Sequence, residues 1–177
     1  VRKLSFTGST EVGRSLMQAC AKDIKRLSLE LGGNAPFIVF DDANLRAAAD
    51  GLLAAKFRNA GQACIAANRV YVQRTVYEKF SQLVAEKVQA LRVGNGLHEQ
   101  VDIGPLIDTN AIAKIESHIK DAVEKGANIL VGGKTHSLGG CFFQPTVLTN
   151  VSTNALCAHD ETFGPLIPLI AFDTDEE

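Results

Sequence analysis

Apolar positions in this 177-residue chain recur with two periods, and the periods alternate along it. "RKLSF" near the start and "RLSLEL" from Arg26 alternate apolar with polar side chains, as half-buried strands do. Between them Val12, Leu16 and Cys20 recur at helical spacing and predict a helix over Thr10–Lys22. "GGNAP" breaks the second strand, and "FIVF" is a short apolar strand. "DDANLRAAADGLLAAKFRNA" opens on the capping residues Asp41, Asp42 and Asn44 and then turns alanine-rich and helical. "RVYVQ" reads as a strand. "TVYEKFSQLVAEKVQAL" sets Val76, Phe80, Leu83, Val84, Val88 and Leu91 on one helical face. A further helix is expected over Ala111–Lys125, then a strand in "NILVGG" and a last apolar strand in "LIPLIAF".

Strands alternating with helices of this length argue for βαβ units. The fold class expected is α/β: an open, mostly parallel twisted sheet with flanking helices. No internal repeat or low-complexity tract interrupts the order.

Composition narrows the picture. Hydrophobic residues make up 46% and charged residues 21%, as in a globular chain. A net charge of −2 with no basic stripe argues against nucleic acid as a partner. No apolar run reaches the roughly 18 residues of a membrane span. Cys20, Cys64, Cys141 and Cys157 form no C-x-x-C pair and share no ligand spacing with histidine, so no metal site is expected. Scattered free thiols fit the cytoplasm or another reducing compartment, such as the mitochondrial matrix.

Three stretches could carry chemistry. In "NAGQACIAANR", Cys64 stands among small residues that leave room for a ligand; the competing reading is a small buried hydrophobe. In "LELGG", Glu30 interrupts an apolar strand pattern just before Gly32 and Gly33. It is either a solvent-facing strand residue or a general base at a strand end. "TGSTEVGRS" departs from a phosphate-binding P-loop at Arg14, where that motif needs lysine. It reads instead as a strand-to-helix turn, capped by Ser9 or Thr10, whose helix N-terminus could hold a phosphate.

"FTGSTEVG", "LELGG", "GQAC" and "ETFGP", in this order along the whole chain, resemble the aldehyde dehydrogenase superfamily, and "FRNAGQ" and "IGPLID" resemble its succinate-semialdehyde branch. The resemblance implies Cys64 as nucleophile and Glu30 as general base. It implies Gly8, Ser9, Leu31, Glu161 and Phe163 against an NAD or NADP cofactor, with Glu161 on the nicotinamide ribose. Arg58 would hold a substrate carboxylate. A small aldehyde would be the substrate, and the parent enzyme would be a homo-oligomer. Residues 1–29 would end a coenzyme-binding domain and residues 30–177 would form most of the catalytic domain. The second oxyanion donor and an oligomerisation strand would lie outside the chain, and the segment alone is expected to be inactive. Some relatives carry a further cysteine two residues after the nucleophile; here Ala66 stands in that position.

Overall fold

The computed structural model describes residues 1–98 and 100–177. Two compact units divide the chain, Val1–Gly33 and Asn34–Glu177.

The first unit is one βαβ. Strands β1 (Lys3–Thr7) and β2 (Arg26–Glu30) pair in parallel, with Phe6 opposite Leu29 and Thr7 opposite Glu30. Helix α1 (Thr10–Ala21) connects them. Its N-cap is Ser9, whose Oγ accepts from Val12 N at 3.3 Å. On the expected apolar face Cys20 is buried and Leu16 half-buried, whereas Val12 is exposed.

The second unit holds a five-stranded sheet in the order β3-β4-β7-β6-β5. The strands are β3 (Ala35–Val39), β4 (Ala67–Gln73), β5 (Asn128–Val131), β6 (Thr146–Thr149) and β7 (Leu166–Phe172). Only the edge pair β5–β6 is antiparallel. The mostly parallel sheet is therefore as the alternating periods predict. Among the described residues, four α-helices accompany it: α2 (Leu45–Phe57), α3 (Arg74–Gln89), α4 (Thr109–Glu124) and the single turn α5 (Leu156–His159). Of the three cap candidates before α2, Asn44 takes the role, its Oδ1 accepting from Ala47 N at 3.2 Å.

Strand β7 lies mid-sheet yet contains Pro168, which has no N–H to donate. Pro168 pairs with Leu148 of β6 at the last register position on that side, and pairing with β4 begins only at Leu169. The proline thus falls where the strand passes from one neighbour to the other, the position at which a missing donor costs least. The core joins Leu52 of α2 and Phe80, Val84 and Val88 of α3 to Val70 and Val72 of β4 and to Leu166, Ile167 and Leu169 of β7. Burying each large apolar side chain contributes about 1.5–3 kcal/mol.

Candidate active site

Helix α2 ends at Phe57, and the chain then does something uncommon. Asn59 (φ 52°), Ala60 (φ 56°) and Gly61 (φ 78°) are successive left-handed residues. Each non-glycine residue in that region costs roughly 1–2 kcal/mol, so the loop needs holding. Side chain to backbone bonds supply part of the hold. Asn59 Nδ2 donates to Gln62 O and Gln62 Nε2 to Asn59 O, both at 3.1 Å. The Gln62 amide also reaches outward: Nε2 donates to Pro105 O at 3.4 Å, and Oε1 accepts from Ile107 N at 2.9 Å.

The remaining hold is steric. A Cβ on Gly61 would lie 2.2 Å from the carbonyl oxygen of Gly164, and a Cβ on Gly164 would lie 2.4 Å from Cδ1 of Ile115 on α4. Helix α4, the 160–165 loop and the 58–64 loop are thus stacked with no room for a methyl group. Cys64 follows on a turn closed by Ala66 N donating to Ala63 O at 3.0 Å. It is the exposed one of the four cysteines: Cys20 and Cys157 are buried and Cys141 is half-buried. Burial pushes the Cys157 thiol up to about 11, which makes it a poor nucleophile. Arg58 is exposed at the C-terminal end of α2, six residues before the thiol.

The 160–165 loop carries the other second-unit candidates. Phe163 is left-handed (φ 56°) and 38% exposed, a large apolar ring left open to solvent. Glu161 is half-buried, and its Oε1 is enclosed without a hydrogen-bond partner among the described residues. Between them Thr162 is buried, its Oγ1 3.0 Å from Nδ1 of the buried His118 on α4. Burial, then the positive Lys114, holds that imidazole below its usual range and so in its neutral form.

In the first unit, Gly8 N donates to Glu30 O at 3.0 Å, closing the same end of the β1–β2 pair that carries the Ser9 cap. Glu30 is the exposed last residue of β2. A Cβ on Gly13 would meet Leu31 Cδ2 at 2.5 Å, so Leu31 lies against α1. The expected residues therefore form two groups. Gly8, Ser9, Glu30 and Leu31 gather in the first unit; Arg58, Cys64, Glu161 and Phe163 gather in the second.

The model of the aldehyde dehydrogenase family matches residues 1–177. The chain belongs to the aldehyde dehydrogenase family. Over all 177 residues it is 60% identical to the succinate-semialdehyde dehydrogenase [NADP(+)] GabD of Escherichia coli, and 59% identical to a glutarate-semialdehyde dehydrogenase of Pseudomonas aeruginosa. It covers 37% of the length of each. The crystal structure of succinate-semialdehyde dehydrogenase from Burkholderia pseudomallei superposes with a TM-score of 0.98 at 55% identity, over 99% of this chain and 36% of that one.

Two groups lie beyond the sequence expectations. Lys56 is fully buried, its Nζ donating to Asn68 Oδ1 at 2.9 Å. The sequence places it near the end of an alanine-rich helix, where a cation suits the dipole. A sharper signal was present: Ala49, Leu52 and Lys56 recur at helical spacing on one face, and all three are buried. The second is the pair His118–Thr162. His118 falls on the apolar face made by Ile112, Ile115, Ile119 and Ala122, but Thr162 is distant in sequence and nothing local announces it.

Proposed function

We propose that the full-length protein oxidises an aldehyde to a carboxylic acid with NAD or NADP as acceptor, succinate semialdehyde being the first substrate to test. The observation that carries the reading is the single exposed thiol, Cys64, presented by a loop of three left-handed residues that the Asn59–Gln62 hydrogen bonds and a glycine–glycine contact hold in place. Membership of the family and the names of the relatives support the reaction type and the acidic substrate. The relative named for NADP(+) favours that dinucleotide as the first one to try.

Each unit offers features that fit a dinucleotide. The unpartnered Oε1 of Glu161 is an acceptor awaiting a donor such as a ribose hydroxyl, and Phe163 offers an open ring. The Ser9-capped start of α1 leaves backbone N–H groups that suit a phosphate. Gly8 and Leu31, in the same unit as Ser9, would line the approach to that phosphate. A bound nicotinamide would supply the acceptor for a hydride from the substrate carbon.

The residues then divide the work. The Cys64 thiolate attacks the aldehyde carbon; a C–S bond forms and the carbonyl π pair moves to oxygen. The Cys64 backbone N–H is one donor for that oxyanion. Loss of hydride leaves a thioester on Cys64. Glu30 takes a proton from water, the water oxygen attacks the thioester carbonyl, and the thiolate leaves. Two moderate barriers replace one high one. Arg58 grips the far carboxylate of a semialdehyde acid with two parallel hydrogen bonds, which sets its reach to the thiol.

The experiment is turnover by the full-length protein with succinate semialdehyde, glutarate semialdehyde and an uncharged aldehyde of similar length, under both cofactors. Cys64→Ser should abolish turnover, and activity at the parent level would end the reading. Arg58→Leu should lower kcat/KM for the preferred acidic substrate by about 100-fold, the loss expected when one partner of a desolvated charge pair is removed. It should leave the uncharged aldehyde far less affected. Equal losses on both substrates would make Arg58 structural.

A further inference from the structure

The buried pair His118–Thr162 has no part in that chemistry, and it is a costly way to fill a core. His118 shares its face of α4 with the buried Ile112, Ile115, Ile119 and Ala122. An apolar side chain there would pack with no polar atom to satisfy. The hydrogen bond that His118 makes instead spans 44 positions, Nδ1 to Thr162 Oγ1 at 3.0 Å, with both residues buried. Thr162 stands between Glu161 and Phe163. The backbone at Phe163 is left-handed, an outlying conformation for an aromatic residue, and its ring is left open to solvent. Such strain persists only where the surroundings fix it. At the two ends of the loop the hold is on backbone: Asn34 Nδ2 donates to His159 O at 3.0 Å, and Thr146 N to Pro165 O at 2.8 Å. Past Phe163, Gly164 is packed on Ile115 of α4. The Thr162 hydroxyl is the side-chain anchor in the middle.

We propose that His118 and Thr162 are positioning residues for dinucleotide binding: their buried hydrogen bond pins the 160–165 loop to α4 and so presets Glu161 and Phe163 on either side of it. The inference rests on reading Glu161 and Phe163 as cofactor residues. Holding Thr162 inward fixes the directions in which its two neighbours leave the backbone. Without the hydroxyl, Phe163 is free to relax toward ordinary backbone angles, and the loop holds its binding form for only part of the time. The ligand then binds only the fraction of molecules in that form, and its apparent affinity falls by the same fraction. Cys64 sits on a different loop, held by its own Asn59–Gln62 bonds and by the Gly61–Gly164 contact, so its reactivity does not depend on the pair.

The test reads three quantities on the full-length protein: the dissociation constants of NADPH and NADH by fluorescence, the rate of Cys64 alkylation by iodoacetamide by peptide mass, and the unfolding midpoint in denaturant. Thr162→Val keeps the side chain's shape and removes its hydroxyl. It should raise the dissociation constants about tenfold, the order expected when a buried hydrogen-bond partner is orphaned and the binding form becomes a minority. Alkylation of Cys64 should stay at the wild-type rate. Thr162→Ser keeps the hydroxyl and should bind as wild type does. His118→Leu should match Thr162→Val, and the double variant should lose no more than either alone, because both remove one bond. If His118→Leu does not fold, the Val and Ser variants of Thr162 decide. Wild-type affinity in Thr162→Val, with only the unfolding midpoint lowered, would reduce the pair to a core hydrogen bond and overturn the proposal. An equal fall in Cys64 alkylation would overturn it too, since the pair would then hold the whole stack of loops. Glu161→Gln and Phe163→Ala should each weaken binding. If both bind like wild type, the cofactor reading of the loop itself fails, and the role of the pair falls with it.

Discussion

Two connectors in this chain bring glycine to a candidate site, and they are built in opposite ways. The turn after β1, with Gly8 and Ser9, uses ordinary backbone: neither residue has positive φ, and the turn is closed by one side-chain cap and the Gly8–Glu30 backbone bond. The loop after α2, with Asn59, Ala60 and Gly61, runs through three left-handed residues and is jammed against Gly164. The first connector is made by short-range chemistry that costs little. The second stores strain that distant segments must offset, and it is the one that presents the exposed thiol. Strain held by surroundings is the arrangement expected where side-chain placement decides function.

Gly61→Ala should break the comparison hardest. A left-handed alanine costs about 1–2 kcal/mol, and overpacking costs about 1–3 kcal/mol more. The obstructing atom is a backbone oxygen 2.2 Å away, which cannot rotate aside. The full-length variant should lose about 2–5 kcal/mol in denaturant unfolding. Its turnover should fall about 100-fold or more, because a displacement near 1 Å at a reacting group can cost that much. Wild-type stability in this variant would mean the loop is not clamped.

Gly164→Ala tests the next contact in the stack. Here the obstacle is Cδ1 of the fully buried Ile115, so the expected loss is about 1–3 kcal/mol. Ile115→Val removes that methyl and alone should cost about 0.5–1.5 kcal/mol. Combined, the two should cost less than their sum by at least about 0.5 kcal/mol. Relief should be partial, because Ile115 Cγ1 stays 2.8 Å from the added Cβ. Strict additivity would show that the two residues do not meet.

The contrast between connectors also explains what could be read from the sequence. Helix caps are local chemistry, so a start of α1 after Ser9 and of α2 after one of three capping candidates was legible, as was the apolar face of α3. Cys64 and Glu30 stood out by context, and the family motifs gave them their implied roles. Left-handed backbone at Asn59 and Ala60 was not legible, because neither residue type demands it; nor was the close packing of the next residue, Gly61, on Gly164, about a hundred positions away. The buried Lys56 was hidden for a related reason. A lysine near a helix C-terminus has a sufficient local explanation, and only Asn68 and Glu161, from other elements, reveal its setting. The β6 segment "TVLT" was too short and too close to glycine and proline to be assigned a strand from pattern alone.

On the first connector's side the expected effects are small. Ser9→Ala removes the oxygen that accepts from Val12 N, a cap worth about 1 kcal/mol. It should lower stability by that amount and weaken dinucleotide binding only if the start of α1 frays, which amide exchange over residues 10–13 would reveal.

Gly13→Ala is the mildest test. On distance alone it resembles Gly61→Ala, since the new Cβ would lie 2.5 Å from Cδ2 of Leu31. The obstacle differs in kind, being the tip of a half-buried, flexible side chain that can turn to another rotamer. Gly13 also lies inside α1, where alanine is favoured over glycine by about 1 kcal/mol. A rotamer change near 0.5–1.5 kcal/mol set against that gain leaves a net effect within about 0.5 kcal/mol of zero. Chemical denaturation of the full-length variant would measure it. A loss as large as that of Gly61→Ala would show that the first unit is as tightly jammed as the thiol loop, and the distinction between the two connectors would be gone.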